Sequence, residues 1–149
     1  MSTSKNISGT PKRKKEHDLN DDFLTKFVDE NALPKLLGVR YLSATPERCE
    51  AEMPVTPLAL NSVGRVHGAV LMLLADVTAA AAANCAGEIA LSSCGSYEIY
   101  RSVPDGTLHS VATLRMNGKK LQYHDVEIRD DAGTLLFHAV MQSYRVDRR

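Results

Sequence analysis

The chain has 149 residues, which is enough for one domain with a sizeable core and too few for two. Lysine plus arginine and aspartate plus glutamate number 18 each, so no overall charge favours a nucleic acid or a membrane surface as partner. Aromatic residues make up only 5% and tryptophan is absent, which argues against a surface that stacks nucleic-acid bases.

The first segment in chain order, residues 1–18, is polar, rich in serine, threonine and lysine, and contains Pro11. We predict a disordered basic arm over 1–18, followed by a single domain over 19–149. The basic run Lys12–Lys15 could bind an anion, although such runs are more often simply solvated.

Residues 19–37 have the apolar spacing of a short amphipathic helix, with Phe23 and Phe27 on one face and Pro34 and Gly38 ending it. Residues 39–56 alternate between apolar and polar residues around a turn-like Thr-Pro-Glu and predict a β-hairpin.

Residues 66–86 predict a long helix that is apolar on almost every face, and Gly87 provides its stop. Such a helix is expected to be buried on all sides. It contains one carboxylate, Asp76, and an unpaired buried charge costs several kcal/mol. Asp76 therefore needs a functional or structural reason.

Four strand-like segments follow, divided by Pro-Asp-Gly, Asn-Gly and Asp-rich turn signals, at 91–103, 107–117, 120–129 and 134–146. Their spacing predicts an antiparallel meander. Together with the hairpin, they predict an α+β domain in which a curved antiparallel sheet wraps around the long central helix.

The residues at the start of the long helix form the motif N-x-x-G-x-x-H-G-x(7)-D, from Asn61 through Gly64, His67 and Gly68 to Asp76. With the sheet-wrapped helix, this motif resembles the hotdog-fold acyl-CoA thioesterases of the phenylacetate-pathway (PaaI-like) branch, over about residues 36–146. The resemblance implies hydrolysis of an acyl-CoA thioester to a free acid and CoA, with CoA as part of the substrate and no separate cofactor. It also implies a homodimer that often pairs again into a homotetramer.

The residues themselves suit this chemistry. A helix N-terminus offers unpaired N–H groups, and Gly68 has no Cβ, so a carbonyl could approach its N–H as it would an oxyanion hole. Asp76 lies about 12 Å further along the helix, at 1.5 Å per residue, so one thioester carbon cannot touch both from the same chain. We therefore predict a site shared between two subunits. Asp76 is expected to act as general base or as nucleophile, and the alternative is an acid that only sets dimer register.

The resemblance implies roles for three more residues. Asn61 would hold the attacking water or the carbonyl, against the alternative of a loop-turn or capping residue. His67 would support the carbonyl or the loop, although most such histidines are structural. Ser93 would hydrogen-bond the acid or the water, and its neighbour Ser92 is the alternative. At Ala69, where the family often has a second glycine, this sequence departs from the pattern.

The CoA phosphates need cations, and Arg101, Arg115, Lys119 and Lys120 are candidates by their position at predicted strand ends and turns. Each could equally be a solvated surface charge. Three tyrosines on the predicted strands could line an acyl tunnel, although strand aromatics are usually core: Tyr97, Tyr100 and Tyr123.

Several other classes are disfavoured. The sequence lacks the G-x-S-x-G elbow of α/β-hydrolases, the H-E-x-x-H motif and any cysteine-histidine metal cluster. Three cysteines without a C-x-x-C pair, together with an N-terminus lacking a signal-peptide pattern, predict a cytoplasmic protein. The apolar run 69–83 is too short for a membrane helix. The remaining alternatives are a non-catalytic acyl-CoA-binding module and, on the basic run alone, a nucleic-acid binder.

Overall fold

The computed structural model describes residues 16–146. The elements in chain order are α1 (Glu16–Asp29), α2 (Ala32–Leu36), β1 (Arg40–Ala44), β2 (Arg48–Pro54), a 3₁₀ turn (Pro57–Ala59), α3 (Gly68–Asn84), β3 (Ala90–Ile99), β4 (Thr107–Asn117), β5 (Leu121–Arg129) and β6 (Leu135–Arg145). A six-stranded antiparallel sheet curves around α3, so the predicted α+β architecture is confirmed.

The N-terminal helix differs from its prediction. Residues 1–15 of the predicted arm lie outside the described residues, and α1 already begins at Glu16, inside the range assigned to the arm. The predicted helix 19–37 is two helices, separated where the Asn31 amide donates to the carbonyl of Phe27 at 2.7 Å. Pro34 lies within the first turn of α2, where no intrahelical N–H bond is lost, and the chain leaves the helix at Gly38, which has φ +78°.

The hairpin β1–β2 is as predicted, but the four-strand meander is wrong in one respect. The sheet order is β1-β2-β4-β5-β6-β3, so β4, β5 and β6 form the meander while β3 pairs with β6 at the far edge. The segment that follows β3 does not form a hairpin with β4, because it is hydrogen-bonded to the loop before α3. Val66 N–H donates to the carbonyl of Val103 at 2.9 Å, and the Ser102 hydroxyl donates to the carbonyl of Val66 at 2.8 Å.

Helix α3 packs lengthwise against the concave face of the sheet. Its sheet-facing side chains are fully buried, and its alanines let the strands approach closely. The Thr78 hydroxyl lies between helix and sheet, where it bonds the Leu74 carbonyl at 2.6 Å and the Ser110 hydroxyl at 2.9 Å. No helix within residues 16–146 combines the length and hydropathy that crossing a bilayer requires.

The expectation that α3 is buried on all sides is wrong for the single chain. Ala69 is exposed, and Met72 is 42% exposed on the same side of the helix. The neighbouring strand β3 is also uncovered, because every residue after Ala90 is exposed along its length. An apolar stripe of the helix and an open strand edge therefore lie side by side.

Candidate active site

A cavity of about 350 Å³ opens between the N-terminal half of α3 and the strands β3 and β6. Four helix residues at spacings of three and four form one wall, and four sheet residues form the other: Ala69, Met72, Leu73, Asp76, Gly95, Tyr97, Phe137 and Met141. The helix wall contains the same exposed stripe of α3. Asp76 is the single carboxylate of the lining, so the acid of this apolar helix faces a cavity and is not fully buried in the core.

Asp76 is partly buried and is held by the neighbouring strand. The Ser92 hydroxyl donates a hydrogen bond to Asp76 Oδ1. This hydrogen bond fixes the orientation of the carboxyl group relative to β3. Oδ2 has no hydrogen-bond partner among residues 16–146, so it is available to a water molecule or a substrate carbon in the cavity.

Ser93, the predicted partner of the acid, faces elsewhere. Its hydroxyl bonds Gln142 on β6, accepting from the side-chain amide at 2.9 Å. The β3–β6 register shifts between Ser92 and Cys94, so Ser93 occupies a β-bulge. Side chains of successive strand residues point to opposite faces of the sheet. Ser92 therefore points toward the helix, and Ser92, not Ser93, is the partner of Asp76.

His67 is the N-cap of α3, a role that was not predicted from the sequence. Its Nδ1 accepts a hydrogen bond from the Ala69 N–H at 3.2 Å, so the neutral ring carries its proton on Nε2. The Gly68 N–H, by contrast, has no partner among the described residues. The imidazole therefore satisfies the second amide of the helix and leaves the first one open.

Asn61 shapes the loop before α3 and still keeps a free donor. Its Oδ1 accepts from the N–H groups of Val63 and Arg65, both at 3.1 Å. These two bonds fix the amide orientation, because only the oxygen can accept them. The Nδ2 group has no partner in the described part of the chain, so the loop role and the donor role are compatible.

Gly68 and Asp76 lie near opposite ends of β3. A Cβ on Gly68 would lie 2.9 Å from Ile99 Cδ1, at the end of the strand, whereas Asp76 is bonded to Ser92 near its start. A side chain at this position would meet only the flexible end of Ile99. The approach of a carbonyl to the Gly68 N–H stays a prediction. Within one chain Gly68 and Asp76 do not meet.

The predicted CoA-binding cations are not brought together in one chain. Arg101 follows the end of β3, while Lys119 and Lys120 lie in the turn beside Arg145, which pairs with the first residue of β3. The length of β3, about 33 Å at 3.3 Å per residue, separates the two groups. Arg115 is already paired with the carboxylate of Asp125 at 3.5 Å.

Of the three predicted tunnel tyrosines, Tyr97 alone lines the cavity. It stacks on Phe137 with ring centroids 5.6 Å apart and planes inclined by 14°. Tyr100 is exposed beyond β3 and its hydroxyl donates to Glu98 at 2.8 Å. Tyr123 lies opposite Met116 and Gln142 in the sheet and does not reach the lining.

The other apolar residues of the cavity lining were not among the predicted site residues. The spacing of three and four that links Ala69, Met72 and Asp76 could have indicated the helix wall. No local signal marks Gly95, Phe137 and Met141, because sheet pairing brings them together from distant parts of the chain.

Two of the cysteines are poor nucleophiles. Burial raises the pKa of the Cys49 thiol to about 12 and that of the Cys85 thiol to about 11, so both stay protonated near neutral pH. Cys94 is exposed on β3 and is absent from the cavity lining. Within residues 16–146, no three side chains of the metal-binding types come together as a metal site. Asp76 is therefore the best placed nucleophile or base of the cavity.

The chain was compared with family models, with known protein sequences and with solved structures. No family model matches it. The acyl-coenzyme A thioesterase PaaI of Escherichia coli (strain K12) is 33% identical over 101 residues, which cover 67% of this chain and 72% of that protein. ComA2 of Bacillus subtilis (strain 168) is 28% identical over 111 residues, covering 72% of this chain and 88% of its own length.

The solved structure of E. coli PaaI superimposes with a TM-score of 0.81 and 27% identity, over 88% of this chain and 95% of that one. These relatives favour an enzyme over a non-catalytic acyl-CoA-binding module. The curved sheet, the central helix and the identity to PaaI together show that the chain belongs to the PaaI-like branch of the hotdog-fold acyl-CoA thioesterases and is a thioesterase.

Proposed function

We propose that two copies of this chain pair along their β3 edges and hydrolyse an acyl-CoA thioester to a free acid and CoA, in two sites that the copies share. One observation carries the proposal: Gly68 lies at the Ile99 end of the exposed strand and Asp76 lies at its Ser92 end. The acyl-CoA substrate class is supported by the printed name of the E. coli relative.

Symmetry supplies the reason for sharing. When two identical strand edges pair about a two-fold axis, they run antiparallel, and each residue meets its counterpart at the mirrored position. Pairing over the length of β3 therefore brings the Ile99 end of one copy beside the Ser92 end of the other. Gly68 of one copy and Asp76 of its partner would then face one cavity from opposite sides. The unpaired backbone groups of β3 and the exposed stripe of α3 would be covered by the same contact.

The chemistry follows from the available groups. The Gly68 N–H and the Asn61 amide would donate to the thioester carbonyl oxygen as it becomes negative, where the partial positive charge of the helix N-terminus adds to the effect. Asp76 of the partner copy would take a proton from a water molecule that attacks the carbonyl carbon. The tetrahedral intermediate then collapses, the C–S bond breaks, and the CoA thiolate leaves and is protonated. In the alternative route, Asp76 attacks directly and water hydrolyses the resulting anhydride.

The same two-fold symmetry would bring the predicted CoA-binding side chains of the two copies close together. Arg101 of one copy would approach the turn of the other that contains Lys119 and Lys120, and these charges suit the CoA phosphates. Arg115, which is paired with Asp125, is the weakest of the four candidates. Pairing of two dimers into a tetramer, a cytoplasmic location and independence from any cofactor stay predictions from the sequence.

Subunit mixing tests the shared site. Gly68→Pro removes one N–H and suits the helix, because Pro is favoured at the first helical position and His67 has the extended conformation, φ −67° and ψ 136°, that precedes proline readily. Asp76→Asn removes the base. We expect each variant alone to lose about 10²–10³-fold in kcat, as is typical for one oxyanion donor, or more for the base.

Mixing the two variants and allowing subunits to exchange should restore about a quarter of the wild-type activity, because half the dimers would be mixed and each would hold one intact site. The matched control is Gly68→Ala, which adds a Cβ against the flexible end of Ile99 but keeps the N–H. It should retain most activity. No recovery on mixing, with exchange verified by mass spectrometry, would show that each site lies within one chain.

A further inference from the structure

Met141 and Gly95 stand opposite each other in the β3–β6 register and both line the cavity. A Cβ on Gly95 would lie 3.0 Å from Met141 Sδ and 3.4 Å from its Cε. The thioether therefore occupies the space over Gly95 that any other residue would fill with its own side chain.

The rest of the sheet wall is less adaptable. Phe137 is fully buried and stacked on Tyr97, so neither ring moves without disturbing the other. Met141 is unbranched, has three rotatable side-chain bonds and is partly buried, and its other sheet neighbour is the fully buried His124. Met72, the second methionine of the lining, is on the open side of the cavity on α3. Met141 is therefore the adjustable side chain on the sheet side of the cavity.

We propose that the contact between Met141 and Gly95 sets the depth of the acyl pocket, so that these two residues determine which acyl lengths are accepted. The inference rests on the proposed thioester hydrolysis and adds a specificity element to the same site. The absence of a side chain at position 95 lets the thioether lie flat on the sheet, and this leaves the cavity volume to the acyl group.

The two residues predict opposite changes. Met141→Ala removes the thioether from the sheet side of the cavity and enlarges the pocket, which favours longer acyl groups. Gly95→Ala places a methyl group where the thioether now lies, and a contact near 3.0 Å forces the neighbour to give way. The displaced thioether enters the cavity and favours shorter acyl groups.

The experiment compares kcat/KM over a series of straight-chain saturated acyl-CoAs for the wild type, the two single variants and the double variant. One methylene in an apolar pocket changes specificity by roughly 10–200-fold, so we expect each single variant to shift the ratio of long to short substrates by about 10-fold, in opposite directions. In the Met141→Ala background, Gly95→Ala should have little further effect, because the group that it displaces is gone.

Met116→Ala is the matched control, since Met116 is 49% exposed and outside the cavity lining, and it should keep the wild-type profile. Thermal unfolding verifies that each variant folds, and Met141→Val replaces the alanine variant if it does not. Failure of the wild type to hydrolyse any acyl-CoA overturns the proposed function. Wild-type turnover with unchanged profiles in the variants, or shifts in the same direction, overturns the role of Met141 and Gly95 alone.

Discussion

The two edges of the sheet differ in how they are covered. Strand β1 has five residues, a register shift, and a helix over it, since Phe27 on α1 contacts Tyr41 edge to face with ring centroids 5.4 Å apart. Strand β3 has ten residues, and nine of them are exposed. A long uncovered edge strand presents unpaired N–H and C=O groups that can pair with a strand of another chain, and proteins usually protect such edges.

The difference suggests that the two edge strands, β1 and β3, have different roles. The chain packs its own helix α1 against β1, while β3 holds Asp76 by a hydrogen bond, has Gly68 near its other end and stays open. Under the proposed function, the open edge is covered by a second copy, which completes the site. The β1 edge should then matter for stability and the β3 edge for chemistry.

The largest predicted effect is a loss of stability at the β1 edge, against which α1 packs. Phe27→Ala removes a partly buried ring that contacts both Phe23 and Tyr41, and we expect a loss of about 2 kcal/mol in the free energy of unfolding. Urea unfolding measures the loss, and kcat/KM should stay at the wild-type value. Leu36→Ala, at a side chain that is 68% exposed, is the control and should change stability by about 0.5 kcal/mol or less. A fall in kcat/KM with Phe27→Ala would show that the two edges are not separable.

A smaller effect is expected at the open edge, where two adjacent serines form a matched pair. Ser92→Ala removes the hydrogen bond to Asp76, and hydrogen bonds to charged groups contribute about 1.5–3 kcal/mol, so kcat/KM should fall by about 10-fold or more. Ser93→Ala loses only its contact with Gln142 and should stay within about 2-fold of the wild type. Steady-state kinetics decide the matter, and equal losses in both variants would contradict the assignment of Ser92.

The smallest predicted effect is on the pH dependence of stability, and it comes from His124 on β5, in the middle of the sheet. Burial lowers the pKa of His124 below its ordinary value, and the hydrogen bond to the Pro46 carbonyl opposes this only in part. The unfolded chain therefore binds a proton that the folded chain does not, once the pH falls below the ordinary pKa near 6.5. Stability from this group is complete above that pH and declines below it.

His124→Gln should accordingly flatten the fall of stability between about pH 7 and pH 5.5, by at most about 1.4 kcal/mol per pH unit, the value for a single proton. Urea unfolding at both pH values measures the slope. Parallel slopes in the variant and the wild type would mean that His124 does not titrate differently on folding.

Much of the fold was predictable because its signals are local. Gly87, with φ +85°, closes α3 as its position indicated, and the turn residues after β4 and β5 separate the strands as predicted. The motif from Asn61 to Asp76 lies on one loop and one helix, so spacing alone predicted that Gly68 and Asp76 cannot meet within one chain.

Other parts were not predictable from local patterns. The predicted contact of Ser93 with the acid was wrong, because a β-bulge shifts the register of β3 against β6, and a one-residue slip moves side chains to the opposite face. A contact of Ser93 with the attacking water stays a prediction. The His67 cap was missed because the residues that usually cap helices are Ser, Thr, Asp and Asn.

The sequence by itself determined the helix that carries Asp76, the glycine at its start, and the class of enzyme, because these depend on residues close together along the chain. The tertiary structure decided which strand lies at the open edge, which serine holds the carboxylate, and which methionine lies over Gly95 in the cavity wall. These features depend on pairing between β3 and β6, about 45 residues apart in the chain. Local propensity cannot choose among such long-range pairings, since they are selected by the packing of the whole sheet around α3.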